Sequence, residues 1–127
     1  MKKATINTSE LTGAALDYAT ALATGEVPHV MEYGHAGGTY YVEVDGKTFD
    51  DSDTLYGFDP SSSWSDGGPL IYRLEKLDFG PALWYAMPRH GPVLELSGDT
   101  PLIATCRAIV AAELGDSVKV PEVLVTT

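Results

Sequence analysis

Residues 39–49 read TYYVEVDGKTF, and the alternation of apolar and polar side chains from Tyr41 to Val44 marks a strand rather than a helix. Asp45-Gly46 is the strongest short hairpin signal. The stretch therefore predicts a β-hairpin, with Thr39 to Val44 and Lys47 to Phe49 as its arms. It decides the fold class because the segments that flank it at a distance have a different period.

Upstream, NTSELTGAALDYATALATGE (residues 7–26) places Leu11, Ala14, Ala15, Tyr18, Ala19 and Leu22 on one helical stripe. Asn7, Thr8 or Ser9 can cap it, Glu10 completes a capping box with Asn7, and Gly25 is the expected stop. Downstream, GDTPLIATCRAIVAAELGD (residues 98–116) offers Thr100 as N-cap and Pro101 at the first helical position. Its stripe is Leu102, Ile103, Cys106, Ile109, Val110 and Leu114, and Gly115 ends it. Arg107 falls at the edge of that stripe.

The remaining segments are short. LIYRLEKL from Leu70 fits both periods, WYAMP (84–88) and PVLEL (92–96) read as strand pieces, and Pro88 to Pro92 reads as a turn. SVKVPEVLV (117–125) is extended around Pro121 and closes a sheet edge. Together these give an α+β fold, two principal helices packed on a small, mainly antiparallel sheet, in one domain over residues 1–127.

Composition narrows the function classes. With 44% hydrophobic and 20% charged residues the chain reads as globular, and no apolar run approaches the ~20 residues of a membrane span. MKKATINTSEL has two lysines without an apolar segment behind them, so an intracellular location is expected rather than secretion. The formal net charge is −10, and the eight lysines and arginines are scattered, which argues against extended duplex binding. A small anionic ligand needs only one or two cations and remains compatible. The single cysteine, Cys106, excludes an internal disulfide and reads as a small buried thiol.

Catalytic and metal patterns are weak. His29 and His35 lack partners at zinc-ligand spacing, His35-Ala36-Gly37-Gly38 has no nucleophile elbow to serve, and Asp50, Asp51 and Asp53 fail the calcium-loop pattern. No metal and no cofactor is expected. The distinctive stretch is PSSSWSDGGPLIYR (60–73), which sets Trp64 among turn formers. Gly67-Gly68-Pro69 either presents amides to an anion or makes a tight turn, although Pro69 has no amide to give. Trp64 either plugs the core or stacks on a ligand, with serine hydroxyls beside it. The candidate binding set is Ser62, Ser63, Trp64, Asp66, Gly67, Gly68, Trp84 and Arg107, of which Trp84 also has the simpler reading of a sheet-face aromatic.

ELTGAALDYATA, SSSWSDGGPLI, the Trp84-Tyr85-Ala86 step and TPLIATCRAIVAAELGDSVKVPEVL together resemble the phage NinX-like family, in the same order and with similar spacing. The resemblance implies a phage origin and action in the host bacterial cytoplasm, and it implies no established activity. Ser63 and Asp66 depart from the family pattern, which has Asp before the tryptophan and Gln two positions after it, so ligand preference here can differ. Thr39 to Asp59 reads as an elaboration.

Three functions follow as expectations. The first is a non-enzymatic protein that sequesters a small nucleotide-like ligand, such as a host defence signal, with a second copy of the chain helping to enclose it. The second is an acidic interaction module that modulates a host or phage protein with a basic surface. The third is a small hydrolase, in which His90 beside Arg89, or His35, acts with a carboxylate.

Overall fold

The computed structural model describes residues 2–32, 39–47, 53–91 and 93–125. The class is α+β. In chain order the elements are β1 (Lys3–Asn7), a 3-10 turn (Thr8–Glu10), α1 (Gly13–Ala23), β2 (Pro28–Glu32), β3 (Tyr40–Lys47), β4 (Asp53–Gly57) and α2 (Trp64–Gly67). A second 3-10 segment (Gly68–Arg73) then leads to β5 (Leu74–Phe79), β6 (Trp84–Pro88), β7 (Leu96–Gly98), α3 (Pro101–Leu114), β8 (Ser117–Pro121) and α4 (Glu122–Val125).

The strands do not join into the one sheet expected. They form three small antiparallel sheets, β1-β8, β2-β3-β4 and β5-β6-β7. The helix α3 reconciles them, because it is buried on more than one side. Cys106 and Val110 pack with Leu11, Leu16, Tyr18, Val42, Val118, Val120 and Leu124, while Ala104 and Ala108 pack with Leu74 and Ala86. Its alanines therefore make a second buried face beside the stripe read from the sequence. Leu114, placed on that stripe, is 38% exposed.

The ends of α3 follow the local signals. Thr100 Oγ1 accepts the Ile103 N–H at 3.1 Å, Pro101 occupies the first turn, and Gly115 leaves the helix at φ 97°, a conformation that glycine adopts at little cost. Thr100→Ala is expected to lower stability by about 1 kcal/mol, read as a lower urea midpoint with an unchanged slope.

Two local expectations fail. Residues 3–7 form a strand, and the helix α1 begins only at Gly13, so the Asn7–Glu10 capping box is not used and Asn7 makes no side-chain cap. The reason is tertiary. β8 captures β1 in the register Lys3↔Pro121 to Asn7↔Ser117, and Thr8 is tied to the chain after α3 through its N–H to Asp116 O and its hydroxyl to Gly115 O. Nor is Asp45-Gly46 a turn. β3 runs straight through it, with Asp45 opposite Leu55 and Gly46 opposite Thr54, because pairing with β4 holds Glu43 to Lys47 extended. Phe49, the expected end of the second arm, lies outside the described residues.

The tail is extended to Pro121 as read, and then winds into α4, whose Leu124 is buried in the main core. Of the expected Pro92–Leu96 strand, Pro92 lies outside the described residues, and the strand that forms is β7, which starts only at Leu96.

Candidate functional site

The stretch around Trp64 folds as a compact pair of turns. The Ser62 and Ser63 N–H groups donate to Asp59 O at 3.0 and 2.8 Å, the Gly67 N–H donates to Ser63 O at 2.7 Å, and the Asp59 N–H donates to the Asp66 carboxylate at 3.1 Å. Ser62 Oγ adds a bond to the Asp59 carboxylate at 3.2 Å. The Gly68 N–H donates to Trp64 O. The glycine amides are thus engaged inside the loop, and the anion cradle considered for Gly67-Gly68-Pro69 does not form.

Gly67 has another role. A Cβ there would lie 2.2 Å from Pro60 O and 2.9 Å from a Leu102 methyl, so the absent side chain lets the loop seat directly on α3. Gly68 has an ordinary neighbour, the Trp64 ring, 3.5 Å from where its Cβ would be. Both backbones are right-handed helical, which excludes a conformational reason for either glycine.

Trp64 does not plug the core. It is 58% exposed and forms one wall of a groove of about 280 Å³, whose other walls are Ser61, Ser62, Thr100, Pro101, Leu102 and Ile103. Among the described residues no cation lines the groove. The adjoining N-terminus of α3 is already capped by Thr100, and Pro101 has no N–H, so little of the amide array that attracts phosphate remains free.

On the other side of the loop lies a second cavity of about 240 Å³, lined by Ala14, Asp17, Tyr41, Val42, Gly57, Phe58 and Asp59. Asp17 is 5% exposed, on a helix whose residues 15–21 are all buried. Its Oδ1 accepts the Ser61 N–H at 2.9 Å, which joins α1 to the Trp64 loop. Burial pushes its pKa up to about 7, with Asp59 and Asp66 adding to the rise and the Ser61 hydrogen bonds opposing it. Asp59 is raised as well, first by burial and then by the hydrogen bond it shares with Asp66. The Tyr56 phenol moves up for related reasons, burial first and then the charges of Glu26 and Asp66.

Among the described residues the ion pairs are His29–Asp45 and Lys76–Asp78, so no side-chain cation neutralises Asp17, Asp59 and Asp66. Nor does any group of three His, Cys, Asp or Glu among those residues have the spacing to hold a metal. What this arrangement can do is accept hydrogen bonds from a donor-rich or cationic group, with Asp17 able to change protonation near neutral pH.

The structure brings together Ser62, Ser63, Trp64, Asp66, Gly67 and Gly68 and separates the other two candidates from them. Arg107 is absent from the groove lining. Its Nε donates to Leu11 O at 2.9 Å and its Nη1 to Ser97 O at 2.8 Å, which fastens the lead-in to α1 and strand β7 onto α3. Burial lowers its pKa, with Asp99 opposing. Trp84 is half-buried on the β5-β6-β7 sheet, its ring tilted 56° against Phe79 with centroids 5.1 Å apart. Cys106 is fully buried and its thiol is pushed up to about 12, which makes it unreactive.

Asp17 and Asp59 were not legible as site residues. Asp17 stands off the helical stripe, where a solvated position is expected, and only the run of small residues around it (Ala14, Ala15, Ala19, Thr20, Ala21) hints that the helix is enveloped. His35, Ala36 to Gly38, Asp50 and Asp51 lie outside the described residues, as does the side chain of Asp53.

A family model described as Bacteriophage P22, NinX matches residues 7–113, and the chain belongs to that family. No curated protein matches it. No helix among the described residues is long and apolar enough to cross a membrane.

Proposed function

We propose that this NinX-family protein is a non-catalytic binding protein that holds a small nucleotide-like ligand through its base, stacked on Trp64. The observation that carries the reading is the 58% exposed indole beside an apolar groove of about 280 Å³. Exposing a tryptophan ring forgoes the stabilisation of its burial, and a planar heterocycle supplies a matching face. Recognition centres on the base rather than on phosphate, since no cation among the described residues lines the groove and α3 is capped. The groove is open on one side, and a second copy of the chain would close it. Action inside the infected bacterial cell, on a defence signal of this chemistry, fits sequestration by tight binding and slow release.

Trp64 and Trp84 are the two tryptophans, so titration of intrinsic fluorescence with nucleosides and mono- and cyclic nucleotides reads the site directly. Quenching by bases is expected, and Trp64→Ala is expected to weaken affinity by about tenfold to a hundredfold, one stacking contact being worth ~1–3 kcal/mol. A folded Trp64→Ala protein with unchanged affinity would sink the reading.

The same surface supports a second reading. Trp64 stands beside carboxylates that lack a side-chain cation, and an arginine or lysine from a basic host or phage protein would stack on the ring while neutralising them. Salt separates the two, because a basic protein partner would be lost steeply as ionic strength rises and a stacked base would not.

A further inference from the structure

Between the end of the second 3-10 segment, the end of β6 and the last turns of α3 lies a cavity of about 50 Å³, lined by Arg73, Pro88, His90, Ile109, Ala112 and Glu113. Its chemistry is unlike that of the acidic loop. Arg73 Nε is buried and has no hydrogen-bond partner among the described residues, so the guanidinium is incompletely satisfied by the protein. No Asp or Glu pairs with Arg73 or Arg89 among the described residues, although Glu113 shares the cavity wall.

The Arg73 guanidinium lies 5.7 Å from the centroid of the Tyr72 ring, the residue's backbone is fixed by the Arg89 N–H, which bonds Arg73 O at 2.9 Å, and Arg89 Nη2 bonds Leu74 O at 3.1 Å. In a chain of net charge −10, this corner gathers Arg73, Arg89 and His90. The cavity has room for a small group of water-sized oxygens.

We propose that this cavity binds a phosphate group, as the free ion or at the end of a monoester, with Arg73 and His90 donating to its oxygens and Glu113 accepting its P–OH hydrogen. The carboxylate on the wall decides between anions. Phosphate keeps a proton near neutral pH and can donate it to Glu113, whereas sulfate has none and meets the carboxylate as a like charge. The site is separate from the Trp64 groove, roughly two and a half helical turns farther along α3 and on its other side.

The test is calorimetric titration of the full chain with inorganic phosphate and, separately, with sulfate. Phosphate is expected to bind one to a chain and sulfate at least about tenfold more weakly, the scale of one charged hydrogen bond. Arg73→Gln is expected to lose about tenfold or more in phosphate affinity, and Arg73→Lys, which keeps the charge without the planar fork of donors, to lose nearly as much. Glu113→Gln is expected to bring the two anions together. A phosphate monoester that competes identifies ligand-borne phosphate as an occupant, and failure to compete restricts the site to the free ion. Absence of phosphate binding at millimolar concentration, equal binding of sulfate by the unaltered chain, or a folded Arg73→Lys protein with full affinity would each overturn the proposal.

Discussion

Asp17→Asn is expected to stabilise the protein by about 3 kcal/mol at pH 8 and to change it little at pH 4. The cause is the burial of Asp17 between α1 and the Trp64 loop, where its pKa rises from 3.8 to about 7. The folded state holds a proton on this group at pH values where the unfolded chain has released it. Below pH 3.8 both states are protonated and the acid costs nothing extra. As pH rises from there to about 7 the folded state alone retains the proton, and stability falls by about 1.4 kcal/mol per unit, up to about 4 kcal/mol in all. Asparagine keeps an acceptor for the Ser61 N–H and does not ionise. Urea unfolding at pH 4, 6 and 8 should show the unaltered protein weakening through this window and the variant much flatter. Asp59, raised in the same direction, contributes a residual slope. Parallel curves for the two proteins would show that Asp17 titrates normally.

Gly67→Ala is expected to cost about 3 kcal/mol, at the upper end of the usual penalty for overpacking. Helix propensity alone gives the opposite sign, favouring alanine by about 1 kcal/mol in α2. The contact decides, because the new Cβ would meet Pro60 O at 2.2 Å and Leu102 Cδ2 at 2.9 Å, and the carbonyl belongs to a loop tied down at Asp59 and Ser61. Displacing that loop moves Trp64, so ligand affinity should fall along with the urea midpoint. Gly68→Ala is the control: its Cβ meets only the Trp64 ring at 3.5 Å, and stability should change by no more than about 0.5 kcal/mol. Equal effects at the two positions would refute the close-approach argument for Gly67.

The legibility of the sequence followed the range of the interactions involved. Thr100, Pro101 and Gly115 bound α3 through bonds made within a turn of themselves, and so they could be read directly. Asp45-Gly46 carries an equally strong local signal, yet β4 holds β3 straight across it. β1 was hidden because its partner β8 is distant in sequence and the helical pattern after Leu11 invited extension backwards. Division into three sheets depends on α3 being buried on two faces, which a single apolar stripe understates. At the site, the tryptophan stood out by its composition, while Asp17 emerged only through a hydrogen bond to Ser61 across the fold. Arg107 looked like a ligand cation and is a backbone clamp, a difference set by carbonyls of Leu11 and Ser97 that no motif records.

The β1-β8 pair has a consequence for the order of assembly. Lys3 faces Pro121, so nearly the whole chain lies between two strands that must find each other, and the length-dependent entropy of closing such a loop is about 4 kcal/mol. Until α1 and α3 have packed, nothing holds those strands near one another. The sheet is therefore expected to work as a clasp that fastens late, after the helices between its strands have packed.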